Sequence, residues 1–148
     1  MKILLAVDES KFSEAALQAV LAQARPQDTE VRVLHVVEAP SHLMSLEIVE
    51  YDAEFEAVWK ALREQAKALV EKITGKLRAS GFSVTPTLEE GHPTSKIIDV
   101  AKEWNADLIV LGSHGRKGLN RFLMGSVAES VARHAECSVE LVRIPSTR

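Results

Sequence analysis

The sequence alternates short apolar runs of strand length with longer segments whose apolar residues recur at helical spacing. The strand-like runs are 3–7, 31–37, 82–88, 108–111 and 139–144, and the helix-like segments between them are 13–24, 53–79, 94–104 and 126–134. Strands joined by helices pair in parallel, and their right-handed crossovers place helices on both faces of the sheet. The sequence therefore predicts an α/β fold, a three-layer sandwich around a five-stranded parallel sheet.

Chain length and one proline refine this fold. The 148 residues have the size of one domain, so we expect a single domain over 1–148. Pro86 lies inside the third run and lacks the amide that a central strand must donate, which predicts an edge strand. The stretch 38–45 has no clear periodicity and is predicted to be a long loop.

A ligand site is expected at one edge of this sheet. In open α/β sheets, ligands bind beyond the carboxyl ends of the strands, where the winding direction reverses. Asp8-Glu9-Ser10 directly follows the first strand, and a glycine-rich segment, 112–126, follows the fourth. We expect these two segments to converge and form the site.

The glycine-rich segment has the composition of a phosphate-binding loop. Its glycines are Gly112, Gly115, Gly118 and Gly125, and its basic residues are Arg116, Lys117 and Arg121, with no acidic residue among them. Glycines allow close backbone approach, and the following helix offers free amides and a positive dipole end. The alternative is a solvated loop before a helix that Ser126 caps, since Ser126 and Glu129 have capping-box spacing.

Other chemistries lack their motifs. The loop matches neither the Walker A nor the Gly-x-Gly-x-x-Gly pattern, and the sequence has no His-Glu-x-x-His or Gly-x-Ser-x-Gly motif. His35 is interpreted as a buried, hydrogen-bonded strand histidine, and the other histidines lack metal-ligand spacing. No metal site and no catalytic residue are predicted.

The charge distribution favours a small anionic ligand over nucleic acid. The formal net charge of −3 comprises +3 from residues 112–126 and −6 from the rest of the chain. Duplex binding usually needs a broad basic surface, whereas one triphosphate fits a compact basic loop.

Cys137 is the only cysteine and excludes an intramolecular disulfide; we interpret it as a small buried hydrophobe rather than a reactive thiol.

The acidic run in 47–56 is either a solvated face at the start of the long helix or a mobile lid. The first apolar run ends after five residues, and no run reaches the length of a membrane span. We therefore expect a soluble, cytoplasmic protein without a membrane partner.

The glycine spacing resembles a known signature. The pattern consists of a glycine, two other residues, a second glycine, nine other residues and a Gly-Ser pair, here Gly112, Gly115 and Gly125-Ser126. This spacing is similar to that of nucleotide-binding universal stress proteins. The resemblance extends along the chain through Val7-Asp8-Glu9-Ser10, Leu34-His35-Val36-Val37, Gly91-His92-Pro93, Ala106-Asp107-Leu108-Ile109-Val110-Leu111-Gly112, Gly125-Ser126-Val127-Ala128 and His134-Ala135-Glu136-Cys137. The glycine pattern is that of the ATP-binding branch.

This resemblance implies a strand order of 3-2-1-4-5 and a site for ATP or another adenine nucleotide. Asp8 would bond the ribose or the adenine edge, and the phosphates would lie on the glycine loop, bridged by Mg²⁺ with mostly water ligands. The implied cofactor-binding residues are Ala6, Val7, Asp8, Ser10, Val36, Val37, Gly112, Ser113, His114, Gly115, Arg116, Gly125, Ser126 and Val127.

The resemblance also implies a homodimer through the last strand, 139–144. Two residues depart from the family pattern there: Ser138 stands where proline is frequent and Glu140 where an aliphatic residue is usual. Charges on an edge strand oppose pairing, so an open edge and a blocked edge are both compatible with the sequence.

The expected function is regulatory nucleotide binding, with the nucleotide state controlling contacts with partner proteins of unknown identity. A slow ATP hydrolase and a ligand-free structural dimer are the alternatives. Hydrolysis would need a group that positions the attacking water, and the sequence offers no identifiable one.

Overall fold

The computed structural model describes residues 1–39, 53–115 and 123–145 and confirms the predicted alternation of strands and helices. The elements are β1 (Lys2–Ala6), α1 (Lys11–Gln23), β2 (Glu30–Val37), α2 (Ala53–Ala79), β3 (Ser83–Glu90), α3 (Pro93–Trp104), β4 (Leu108–Gly112), α4 (Ser126–His134) and β5 (Ser138–Val142), with a short 3₁₀ turn at Pro26–Asp28.

The five strands form one parallel sheet in the order β3-β2-β1-β4-β5. β1 lies at its centre, with Ile3 opposite Val31 on one side and Leu108 on the other. β3, which carries Pro86, is an edge strand as predicted. Successive strands run outward from β1 in one direction and then, from β4, in the other. The carboxyl ends of β1 and β4 therefore meet where the winding reverses.

Alternate residues of β1 pack into two hydrophobic layers. Ile3 and Leu5 belong to the layer formed with α1 and α2, and Leu4 and Ala6 to the layer formed with α3 and α4. Leu4 and Leu5 are fully buried, and each such side chain contributes about 1.5–3 kcal/mol. Burial on both faces explains why this strand is a continuous apolar run.

Most element boundaries differ from the predicted ones by one or two residues, and the structure explains two of these differences. α1 begins at Lys11, because Ser10 caps the helix and its hydroxyl accepts a hydrogen bond from the Ser13 amide at 3.4 Å. The last strand ends at Val142, so the predicted end at residue 144 is wrong by two residues. Its partner β4 ends at Gly112, opposite Val142, so no ladder continues beyond that pair.

None of the helices in the described ranges combines the length and the apolar character that a membrane crossing requires.

Candidate functional site

Asp8 lies just past the end of β1 and is fixed by the first turn of α1. Its Oδ1 accepts hydrogen bonds from the Ser10 amide at 2.8 Å and from the Ser13 hydroxyl at 2.9 Å. The Ser13 hydroxyl oxygen in turn accepts the Asp8 amide at 2.7 Å. Within the described residues, no hydrogen bond ends on Oδ2, so this oxygen is available to a ligand.

Gly115 brings the loop after β4 against this carboxylate. A Cβ atom placed on Gly115 would lie only 3.0 Å from Asp8 Oδ2. The predicted convergence of the loops after β1 and β4 is confirmed at this contact, and only a residue without a side chain leaves the carboxylate uncovered.

The start of α4 packs directly on the same loop. The Gly125 amide donates to the Ser113 carbonyl at 2.8 Å, and a Cβ on Gly125 would lie 3.1 Å from that carbonyl oxygen and from His114 Cα. This close approach brings the amino-terminal end of α4 next to residues 113–115.

Gly125, and not Ser126, is the N-cap of α4, so the capping-box alternative is wrong. Ser126 is the first residue of the helix and is exposed. The Glu129 carboxylate does not turn back toward the cap; it binds Arg133 one turn onward at 2.9 Å. The chain enters the helix one residue earlier than capping-box spacing implies.

The available amides of the loop are fewer than its glycines suggest. The Ser113 amide donates to the Val142 carbonyl at 2.8 Å, and the Gly125 amide donates to the Ser113 carbonyl. By contrast, no backbone hydrogen bond in the described ranges uses the amides of Ser126 and Val127, as is normal in a first helical turn. These amides and the positive end of the helix dipole form the anion-attracting part of the site.

Gly112 has a packing role that the sequence did not reveal. A Cβ on Gly112 would lie 2.5 Å from Phe12 Cβ and 2.9 Å from the Phe12 carbonyl carbon. The absence of a side chain lets the start of α1 approach the end of β4.

The side chains of Ser113 and His114 bond each other. The Ser113 side chain is buried, and its hydroxyl bonds His114 Nδ1 at 3.0 Å. His114 Nε2 bonds the Leu123 carbonyl, and the imidazole lies 5.0 Å from the Phe12 ring. His114 therefore connects residues on the two sides of segment 116–122.

The implied cofactor-binding residues with apolar side chains at the ends of β1 and β2 are buried. Ala6, Val7, Val36 and Val37 are each 5–8% exposed, so a base would meet mainly their backbone. The Val7 carbonyl accepts a hydrogen bond from His35 Nδ1 at 2.7 Å, which confirms the predicted hydrogen bonding of His35. The side chain is half-buried rather than buried as predicted.

A cavity of about 580 Å³ lies between α2 and the ends of β2 and β3. Its lining residues are Val37, Lys60, Arg63, Glu64, Lys67, Leu88, Glu89 and Glu90. Val37 is the single residue that this cavity shares with the predicted set, so the cavity does not coincide with the region around Asp8 and Gly115.

Several predictions fall outside the described residues. Arg116, the other basic residues of the loop and the part of the acidic run, 47–56, that precedes residue 53 are among them, so the lid alternative is not tested. Glu54 and Glu56, the described part of the acidic run, lie exposed in the first turn of α2, which agrees with a solvated face.

The described residues contain no group of three His, Cys, Asp or Glu side chains arranged to hold a metal ion. Cys137 packs beside the α3–α4 layer but is half-buried rather than buried as predicted, and its partial burial raises the pKa of its thiol. The protonated thiol is favoured, which agrees with the interpretation of Cys137 as unreactive.

Ser13 was missed by sequence reasoning. It is buried in α1, and only its position five residues after a strand-end aspartate, on the first helical turn, signals a contact with Asp8.

The sheet order, the carboxylate at the end of β1 and the close glycine contacts define a doubly wound α/β protein whose winding direction reverses between the ends of β1 and β4, the place where such sheets bind ligands. More specifically, the model of the universal stress protein family matches residues 1–143, and the chain belongs to this family.

Relatives match over nearly the whole chain. Universal stress protein MJ0531 of Methanocaldococcus jannaschii is 32% identical over 144 residues, covering 97% of this chain and 82% of the relative. The solved structure of the hypothetical protein MJ0577 is 32% identical with a TM-score of 0.84, covering 99% of this chain and 97% of that one. UspA from Lactobacillus plantarum is 25% identical with a TM-score of 0.81, with 97% of each chain covered.

Two more distant structures share the fold and contain nucleotides. A universal stress protein in complex with cAMP is 18% identical with a TM-score of 0.70, covering 98% of each chain. An Arabidopsis thaliana family member with AMP bound is 20% identical with a TM-score of 0.67, covering 99% of this chain and 93% of that one.

Proposed function

We propose that the chain binds an adenine nucleotide, ATP in the first place, between the ends of β1 and β4 and acts as a regulatory binding module. The observation that carries the proposal is the carboxylate oxygen Asp8 Oδ2, uncovered beside Gly115. The AMP and cAMP complexes of two proteins with the same fold agree with this ligand class. The module spans 1–148 and functions in the cytoplasm.

Each part of the nucleotide has a matching group. Asp8 Oδ2 accepts a ribose hydroxyl, and the free amides of Ser126 and Val127 donate to phosphate oxygens. The exposed Ser126 hydroxyl is a further donor to the phosphates. The backbone at Val7 and Val36 lies against the base.

Mg²⁺ fits this site only as a phosphate-bound ion. Because the described residues hold no three-ligand cluster, its remaining ligands would be water, which Mg²⁺ retains readily. The ion would neutralise phosphate charge, while the amides of α4 orient the phosphates.

Nucleotide binding is expected to raise the melting temperature. A ligand that binds only the folded state stabilises it by about 2.7 kcal/mol at a hundred times its Kd, which corresponds to about 5–11 °C for a domain of this size. Thermal unfolding with ATP, ADP and AMP, together with calorimetric titration, measures this. Inorganic phosphate at equal concentration is the control, and the absence of both heat and a Tm shift with every nucleotide contradicts the proposal.

We further propose a homodimer through β5. Glu140 Oε1 accepts a hydrogen bond from Gln23 Nε2 of α1 at 2.9 Å, so the carboxylate is directed along the α1 face of the sheet rather than across its edge. The backbone edge of β5 is thereby left open to a second β5 strand, since strand pairing uses in-plane amides and carbonyls.

Sedimentation equilibrium at micromolar concentration is expected to give twice the 16.3 kDa chain mass. Glu140→Leu should strengthen the dimer, because it removes a charge that pairing would partly bury. A wild-type protein that sediments as a monomer at these concentrations is evidence against the dimer.

A further inference from the structure

We propose that Ser13 positions Asp8 so that a single carboxylate oxygen meets the ligand, and that this makes the site select nucleotides with free ribose hydroxyls. The inference rests on the nucleotide binding proposed above. It assigns a role to a residue of α1 that need not touch the nucleotide itself.

The Ser13 hydroxyl forms two hydrogen bonds with Asp8, one as acceptor and one as donor. Its oxygen accepts the Asp8 amide at 2.7 Å, and its proton goes to Asp8 Oδ1 at 2.9 Å. A hydroxyl has one proton, so accepting the amide leaves that proton directed at the carboxylate. Ser13 is 5% exposed, which limits replacement of either bond by water.

Ser10 adds a second donor to the same oxygen. Its amide donates to Oδ1 at 2.8 Å, and its own carbonyl and hydroxyl accept from the Ser13 amide at 3.2 and 3.4 Å. Two donors on one oxygen fix the Asp8 carboxyl group in place, which restricts both its χ1 rotamer and its intrinsically broad terminal torsion. Oδ2 is consequently held next to Gly115, 3.0 Å from where a Cβ would lie.

An ionised carboxylate oxygen accepts hydrogen bonds and donates none. Oδ2 therefore favours a ligand that offers a hydroxyl and disfavours one that offers another acceptor. A site built to bond a hydroxyl rejects the analogue without it, because the polar group of the protein is left unpaired. Selectivity should then depend on how rigidly Oδ2 is held, and Ser13 supplies much of that rigidity.

The test compares ATP with 2′,3′-dideoxy-ATP by calorimetric titration. We expect wild type to prefer ATP by about tenfold to a hundredfold, the value of a hydrogen bond to a charged group. Ser13→Ala should weaken ATP binding by about threefold to tenfold and leave the dideoxy analogue unchanged. Ser13→Thr keeps the hydroxyl and should restore the preference.

Asp8→Asn is the matched control that tests whether Ser13 acts on nucleotide binding through Asp8. It should remove most of the preference, and adding Ser13→Ala to it should change little more, because residues that act through one another are not additive. Side-chain couplings measured by NMR without ligand should show one Asp8 rotamer in wild type and several in Ser13→Ala.

The outcomes separate the two proposals. Equal weakening of both nucleotides by Ser13→Ala, or a single Asp8 rotamer retained in that variant, overturns the positioning role and leaves nucleotide binding intact. A wild-type protein that binds neither nucleotide overturns the proposed function and this inference with it.

Discussion

Gly112→Ala is expected to destabilise the protein by about 2–3 kcal/mol and to lower its melting temperature by about 4–12 °C. The new methyl carbon would lie 2.5 Å from Phe12 Cβ and 2.9 Å from the Phe12 carbonyl carbon, so α1 and β4 must separate. Replacing glycine also restricts the unfolded chain, which stabilises by only about 0.4–1 kcal/mol. The steric cost is the larger effect, since the contacts are to backbone and to a Cβ rather than to a flexible side-chain end.

Thermal unfolding followed by circular dichroism, without nucleotide, measures this loss. Gly75→Ala is the matched control, because Gly75 lies inside α2 and a Cβ there meets no described residue within 4 Å. That variant should gain about 0.5–1 kcal/mol from helix propensity. If Gly112→Ala melts at the wild-type temperature, Gly112 is not required for the approach of α1 to β4.

Much of the fold was predictable because its determinants are local. Burial on both faces makes β1 and β4 continuous apolar runs, and crossover helices require the strands to be parallel. Pro86 marked an edge strand for the same reason, since a missing amide is a property of one residue. The general position of the site followed from Asp8 and Gly115 lying at the ends of adjacent strands.

What the sequence did not predict depends on contacts distant along the chain. The end of β5 is set by the length of β4, and the need for glycine at 112 is set by Phe12. Ser126 has the spacing of a capping box, but the packing of Gly125 on Ser113 starts the helix one residue earlier. The proposed role of Ser13 depends on the two hydrogen bonds that it exchanges with Asp8, which form only when the first turn of α1 packs beside the end of β1.

Gly115→Ala should leave the fold intact and weaken ATP binding by about tenfold to a hundredfold. Gly115 does not have a positive φ, so alanine fits the backbone there. Among the described residues outside its chain neighbours, its Cβ would meet only Asp8 Oδ2, at 3.0 Å. The carboxylate must shift by a few tenths of an ångström against its bonds to Ser10 and Ser13, and the methyl group then covers the side of Oδ2 that faces the loop. The ribose hydroxyl therefore loses a well-placed acceptor.

Alanine at positions 112 and 115 should therefore have different effects, the first on the stability of the fold and the second on the affinity for ATP. Gly112→Ala should lower the melting temperature, whereas Gly115→Ala should melt at or slightly above the wild-type temperature, because the restricted unfolded chain is then the main effect on stability. Calorimetric titration with ATP and with 2′,3′-dideoxy-ATP completes the comparison: the loss in Gly115→Ala should be confined largely to ATP, since the dideoxy analogue has no hydroxyl for Oδ2. Wild-type ATP affinity in Gly115→Ala would show that the ligand does not use Oδ2, because that oxygen cannot accept a hydroxyl from beneath the added methyl group.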